Sequence, residues 1–242
     1  MEQIINLLSN PAAPTILYIV TLIIFVLSFG VSFLLQRKFT YFSKIPNPLG
    51  WSGQYTAKTI AQTNGINIQV QKWSGMLTDY YNPLNKTIVL SPQVYDGQSI
   101  AAVSVAAHET GHALQDATWY FLLKFRSLVV PFINIGTNAW IWLILLGFLL
   151  QKTSLLFLGI ILYGLIVIFY LITLPVEIDA SARAVKELEK LGFFDQFWDE
   201  NTKKQVINFL FWAGMTYFLA FMASLVELLR LVSIFLQMQR RD

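Results

Sequence analysis

Four apolar stretches without a single charge divide the chain, at residues 16–35, 127–150, 155–174 and 205–226. Each is long enough to cross the roughly 30 Å hydrocarbon core as a helix at about 1.5 Å per residue. The second and third are separated only by Gln151-Lys152-Thr153-Ser154, which leaves room for a tight turn between antiparallel helices. Between the first and second stretches the pattern changes. Residues 52–64 read as a short helix ended at Gly65, and 66–71 alternate apolar and polar like a half-buried strand. Residues 77–83 read as a turn-rich loop and 87–90 as a second strand. Residues 99–125 then read as a helix whose Ala101, Ala102, Ala106 and Ala107 favour that state and permit close packing. After the third stretch, Glu177, Asp179, Arg183, Lys186, Glu187, Glu189 and Lys190 outline an amphipathic helix that begins near Glu177 and ends at Gly192. Residues 193–200 make an acidic, aromatic connection. Glu227 and Arg230 interrupt the final apolar stretch at a spacing that lets them pair.

The expected fold class is therefore mainly α: a polytopic helical membrane protein with a small α+β element. Five regions follow: 1–44 with the first crossing, 45–126, a hairpin at 127–176, the amphipathic helix and connection at 177–204, and a last crossing at 205–242. Composition agrees, since 55% of residues are hydrophobic and only 13% charged, about half the charge of soluble domains. Arg37, Lys38 and Lys44 follow the first stretch while its N-terminal flank lacks positive charge, so a retained helix is expected, with its C-terminal end in the cytoplasm. Arg240 and Arg241 do not fit a four-crossing count on that rule. The net charge of +3 sits beside the apolar runs, which indicates headgroup contact and gives no basic face for nucleic acid. With no cysteine, disulfides and thiolate metal sites are excluded.

Only two histidines occur, and both lie in His108-Glu109-Thr110-Gly111-His112. Four residues apart on a helix, they share one face and can hold one metal ion, with Glu109 placed to take a proton from a water. Gly111 in mid-helix marks a close approach of backbone or ligand. A catalytic zinc site needs three protein ligands and an open position, so the third must be a carboxylate. Glu177, Asp179, Asp116 and Asp79 are candidates. Asp116 lies on the histidines' own helix and cannot easily close round the ion from a second direction. Glu177 is preferred, because two crossings bring it back to the same side of the membrane as His108, and Asp179 suits a supporting role toward an imidazole N–H.

The segments Leu77-Thr-Asp-Tyr-Tyr-Asn-Pro83, Val105-Ala-Ala-His-Glu-Thr-Gly-His-Ala-Leu-Gln115, Arg126 with Pro131, and Thr173-Leu-Pro-Val-Glu-Ile-Asp-Ala-Ser-Ala-Arg183 together resemble the YugP-like neutral zinc metallopeptidases of bacterial membranes. The block around Glu177 also resembles the third-ligand helix of the HtpX-type and CAAX-processing membrane proteases. The resemblance implies a membrane-bound endopeptidase with an HExxH core, holding Zn2+ through His108, His112 and Glu177 and using Glu109 as general base. Tyr80, Tyr81 and Arg126 are candidate donors to the developing oxyanion. Peptides or membrane proteins are the implied substrates, at the cytoplasmic face of the cell membrane. Tyr80 and Asn82 stand where that family carries His and Asp. A competing reading is an inactive membrane scaffold or chaperone-like regulator, with a structural metal or none. A transporter would call for more intramembrane charge than Glu227 and Arg230.

Overall fold

A computed structural model describes residues 2–75, 78–197 and 201–239. Arg240 and Arg241, Leu77 of the expected loop and the last three residues of the 193–200 connection lie outside the described residues. The chain forms two compact units, one from 1–31, 128–173 and 216–242, the other from 32–127 and 174–215.

The first unit is built from apolar helix segments. α1 (Glu2–Leu8) precedes α2 (Ala13–Phe42), and α6 (Phe121–Leu149), α7 (Thr153–Lys190) and α8 (Asn201–Gln239) supply the rest. α2, α7 and α8 are long and apolar enough to cross a membrane. The halves of α6, bent by 43°, make a fourth span if counted together. Pro131, which cannot donate a helical hydrogen bond, lies in the first of those halves. At the turn expected between α6 and α7, Gln151 takes a positive φ of 51° and Lys152 N–H donates back to Gly147 O at 2.9 Å. Ile144, Leu156, Tyr163, Ile166, Val167 and Leu231 form one core here, and Trp140 meets Tyr163 edge-on. Glu227 and Arg230 do pair, with Arg230 Nε 2.8 Å from the carboxylate. Phe25, Phe29, Trp142 and Phe157 are exposed, as lipid-facing residues are.

The second unit carries the α+β element. α3 (Gly53–Thr63) is capped by Ser52, whose side chain accepts from Tyr55 N–H, and stops at Gly65 with φ 66°. β1 (Gln69–Lys72), β2 (Tyr80–Asn82) and β3 (Thr87–Leu90) form a sheet in the order β1-β3-β2, parallel for β1 with β3 and antiparallel for β2 with β3. The short α4 (Pro92–Tyr95) leads into α5 (Ile100–Ala117), whose N-cap Ser99 accepts from Ala102 N–H. β3 is buried along its whole length, and Ile60, Ile88, Leu90, Val94, Val103, Leu188, Phe193 and Val206 are among the residues of one core.

Three expectations change. Residues 80–82 are a strand and not loop, because the register Tyr81 opposite Ile88 gives this short segment a ladder partner. The helix expected over 99–125 ends at Ala117. Thr118 turns its hydroxyl onto Leu114 O, Trp119 adopts φ 54°, and Tyr120 N–H returns to Gln115 O at 2.9 Å. Lys124 and Arg126 thus belong to the start of α6. Finally, no new helix begins near Glu177: α7 runs unbroken through Pro175. Val176, Ala180, Ala184 and Leu188 explain the continuity, since these four positions at i,i+4 spacing form a buried stripe.

Candidate metal centre

α5 and α7 meet at a point only glycine permits. A Cβ on Gly111 would lie 2.4 Å from Ala180 O, far inside van der Waals contact. Removing that side chain lets the helices approach closely enough for α5 histidines to reach α7 carboxylates. His108 Nε2 lies 3.2 Å and His112 Nε2 3.5 Å from the same atom, Glu177 Oε2. One ligand atom from each of the three residues falls within 4.8 Å of the others, a group that could hold one metal ion.

The rear face of each ring is also fixed. Gln115 is fully buried, and its Nε2 donates to Val176 O at 2.7 Å and to Asp179 Oδ2 at 2.8 Å. With both amide hydrogens committed, its Oε1 must accept from His112 Nδ1, 3.0 Å away. His112 then carries its proton on Nδ1 and leaves the Nε2 lone pair toward Glu177. Ser181 Oγ lies 3.1 Å from His108 Nδ1, where the hydroxyl can accept from that nitrogen and give the ring the same tautomer. Glu177 is 3% exposed, and its second oxygen accepts from Arg126 at 3.0 Å. Asp179 is held by Arg183 Nε at 2.6 Å. Two imidazole nitrogens and one carboxylate oxygen converge, the nitrogen and oxygen donor set that zinc takes in hydrolytic sites.

Glu109 is buried beside His108, and burial raises its carboxyl to about 7, with Glu177 and Asp79 adding to the rise while His108 and a hydrogen bond from the Tyr81 backbone oppose it. That places its proton exchange near neutral pH, where a general base works best.

The other sequence candidates are placed as follows. Asp116 lies outside the convergent group; its carboxylate accepts from Tyr81 Oη at 2.9 Å and is paired with Lys124. Burial, followed by Asp116, pushes the Tyr81 hydroxyl well above its ordinary range, which keeps it a donor. Tyr80, its neighbour along β2, projects to the opposite face of the strand and is exposed. Asp79 accepts from Ser91 N–H at 2.7 Å and from the Ser91 hydroxyl at 3.2 Å, tying the segment before β2 to the end of β3. The supporting contact to an imidazole expected of Asp179 is made at His112 by Gln115 instead, and Asp179 accepts from Gln115 Nε2. Sequence reasoning missed Gln115 and Ser181. Helical spacing could have found both, since Gln115 is three residues after His112 and Ser181 four after Glu177.

A helical membrane protein in which half-buried His108, buried His112 and buried Glu177 converge from two helices falls in the class of membrane metalloproteins with an HExxH site. Residues 17–236 match the family described as "Putative neutral zinc metallopeptidase", and the chain belongs to that family. It is 41% identical over 211 residues to "Putative membrane protease YugP" of Bacillus subtilis (strain 168), covering 87% of this chain and 92% of that protein. No solved structure matches the chain.

Proposed function

We propose that the protein is a membrane-bound zinc endopeptidase that hydrolyses peptide bonds, with His108, His112 and Glu177 holding the ion and Glu109 moving the proton. The observation that carries this reading is the convergence of both Nε2 atoms on one oxygen of Glu177. His108, His112 and Glu177 would hold a zinc ion that would supply Lewis-acid chemistry toward a water and a peptide carbonyl. Glu109 takes a proton from the attacking water and delivers it to the departing amine, so that it ends the cycle as it began. Gln115 and Ser181 keep the two rings in the tautomer that frees Nε2. Arg126, whose guanidinium already touches Glu177, is the first choice among Arg126, Tyr81 and Tyr80 for the donor to the developing oxyanion.

The substrates in this reading are peptides or membrane-protein segments. The site works at the cytoplasmic face, a placement supported by Arg37, Lys38 and Lys44 following the first apolar stretch. Zinc stoichiometry on the purified protein, followed by digestion of a peptide library with and without chelator, tests the proposal. One zinc per chain and chelator-sensitive cleavage are expected. Protein that takes up no metal and cleaves nothing would overturn it in favour of a scaffold.

A further inference from the structure

Two apolar helices change from uncharged to cationic at one place in the second unit. The uncharged run of α2 ends at Gln36 and is followed by Arg37 and Lys38, while α8 passes Lys203 and Lys204 before its own uncharged run begins. A helix that crosses a bilayer leaves the hydrocarbon where its charges start, so each transition marks the level of the lipid headgroups. The two are side by side. Lys38 Nζ donates to Asn208 Oδ1 at 2.7 Å, and the Phe39 and Phe42 rings pack on Phe209.

Between them lies a groove of about 990 Å³. Arg37, Lys38, Lys44 and Lys204 line it, and no carboxylate does. Among the described residues none of the four is ion-paired, in contrast to neighbouring Lys203, which holds Glu189 at 2.6 Å. Cations gathered without an acidic neighbour repel one another, and a bound anion relieves that repulsion. The membrane side of the groove is apolar, formed by Phe33 and Leu34, with Arg37 lying over the Phe33 ring at 5.4 Å. A small soluble anion has no use for such a surface, whereas an acyl chain does.

We propose that this groove binds an anionic phospholipid, with its phosphate held by Arg37, Lys38 and Lys204 and its acyl chains lying on Phe33 and Leu34. The site is independent of the metal centre and of any hydrolytic activity.

The test uses the full chain in mild detergent, offered equimolar phosphatidylglycerol and phosphatidylcholine, with retained lipid counted by native mass spectrometry. The wild type retains phosphatidylglycerol in preference by about tenfold or more. Arg37→Gln with Lys38→Gln and Lys204→Gln loses that preference, Arg37→Lys alone keeps most of it, and Lys58→Gln with Lys186→Gln, outside the groove, keeps all of it. Melting temperatures establish that the variants are folded. Should the triple variant not fold, Lys204→Gln alone carries the same test, with a several-fold fall expected. Equal retention of both lipids by the wild type would overturn the proposal. So would an equal loss in the Lys58 and Lys186 variant, which would assign the effect to diffuse charge. Displacement of the phospholipid by millimolar inorganic phosphate would also overturn it, leaving a site for free phosphate.

Discussion

Gln115 Oε1 lies 3.0 Å from His112 Nδ1, and that single hydrogen bond decides which imidazole nitrogen is free to bind a metal. Because Gln115 spends both amide hydrogens on α7, at Val176 O and Asp179, it ties the orientation of the ring to the packing of the two helices. Gln115→Leu keeps most of the volume but removes both the acceptor at His112 Nδ1 and the donors to Val176 O and Asp179. We expect zinc affinity to fall by about 10- to 100-fold, the range seen when partners of metal-bound histidines are removed. Competition against a chromophoric chelator measures this directly. Unchanged affinity would separate Gln115 from the ring it holds.

Gly111→Ala tests the helix contact itself. Alanine in a helix interior ordinarily gains about 1 kcal/mol over glycine. Here its Cβ would meet the backbone of Ala180 at 2.4 Å, where no flexible side chain can give way. Overpacking typically costs about 1–3 kcal/mol, so the net effect is destabilising. Zinc affinity falls with it, since α5 and α7 each bring part of the ligand set. A raised melting temperature in the variant would refute the close approach.

Asp79 gives a pH dependence with a definite sign. Burial raises its pKa above the ordinary carboxylate value of about 4, although both Ser91 hydrogen bonds act against the rise. The folded protein therefore keeps a proton that the unfolded chain has already released. Stability contributed at low pH is lost as pH rises from about 4 through the raised pKa, and is constant above it. Asp79→Asn removes this loss while still offering an oxygen to Ser91 N–H. Melting temperatures of variant and wild type, compared across that window in one detergent, should diverge in favour of the variant as pH rises.

Arg126 and Tyr81 divide the oxyanion question between them. Tyr81 is engaged with Asp116 at 2.9 Å, whereas Arg126 stands at Glu177. Arg126→Gln should lower kcat by about 10²- to 10³-fold, the loss typical of one oxyanion donor. Tyr81→Phe should lower it less than about tenfold and cost about 1 kcal/mol of stability for the lost hydrogen bond. The reverse pattern in steady-state kinetics would move the role to Tyr81.

Much of this site could be read in the chain. The spacing of His108 and His112, the start of their helix near residue 99 and the implication of Gly111 are local signals, and local signals survive into the fold. Ser52, Gly65, the strand at 87–90 and the turn at Gln151 were legible for the same reason. What could not be read depends on partners distant in sequence. Tyr80-Tyr81-Asn82 becomes strand only because β3 pairs with it, while Pro83 directly afterwards signals a turn. Pro175 is a helix-breaking signal overridden by the buried stripe from Val176 to Leu188, so Glu177 sits deep inside a helix and not at its start. The break at Thr118, Trp119 and Tyr120 was within reach, since three residues of modest helix propensity follow one another there. Its consequence was not: the break puts Lys124 and Arg126 on a new helix, from which they meet Asp116 and Glu177.

The central claim is that Glu109 moves the proton at a zinc site made by His108, His112 and Glu177, and Glu109→Gln tests it most directly. The substitution keeps the shape of a buried side chain that is not among the three converging donors. Zinc content and hydrolysis of a cleaved peptide should be measured on the same preparation. One zinc per chain is expected, as in the wild type, with hydrolysis reduced by about 10²- to 10⁴-fold. Undiminished hydrolysis with zinc bound would contradict that claim.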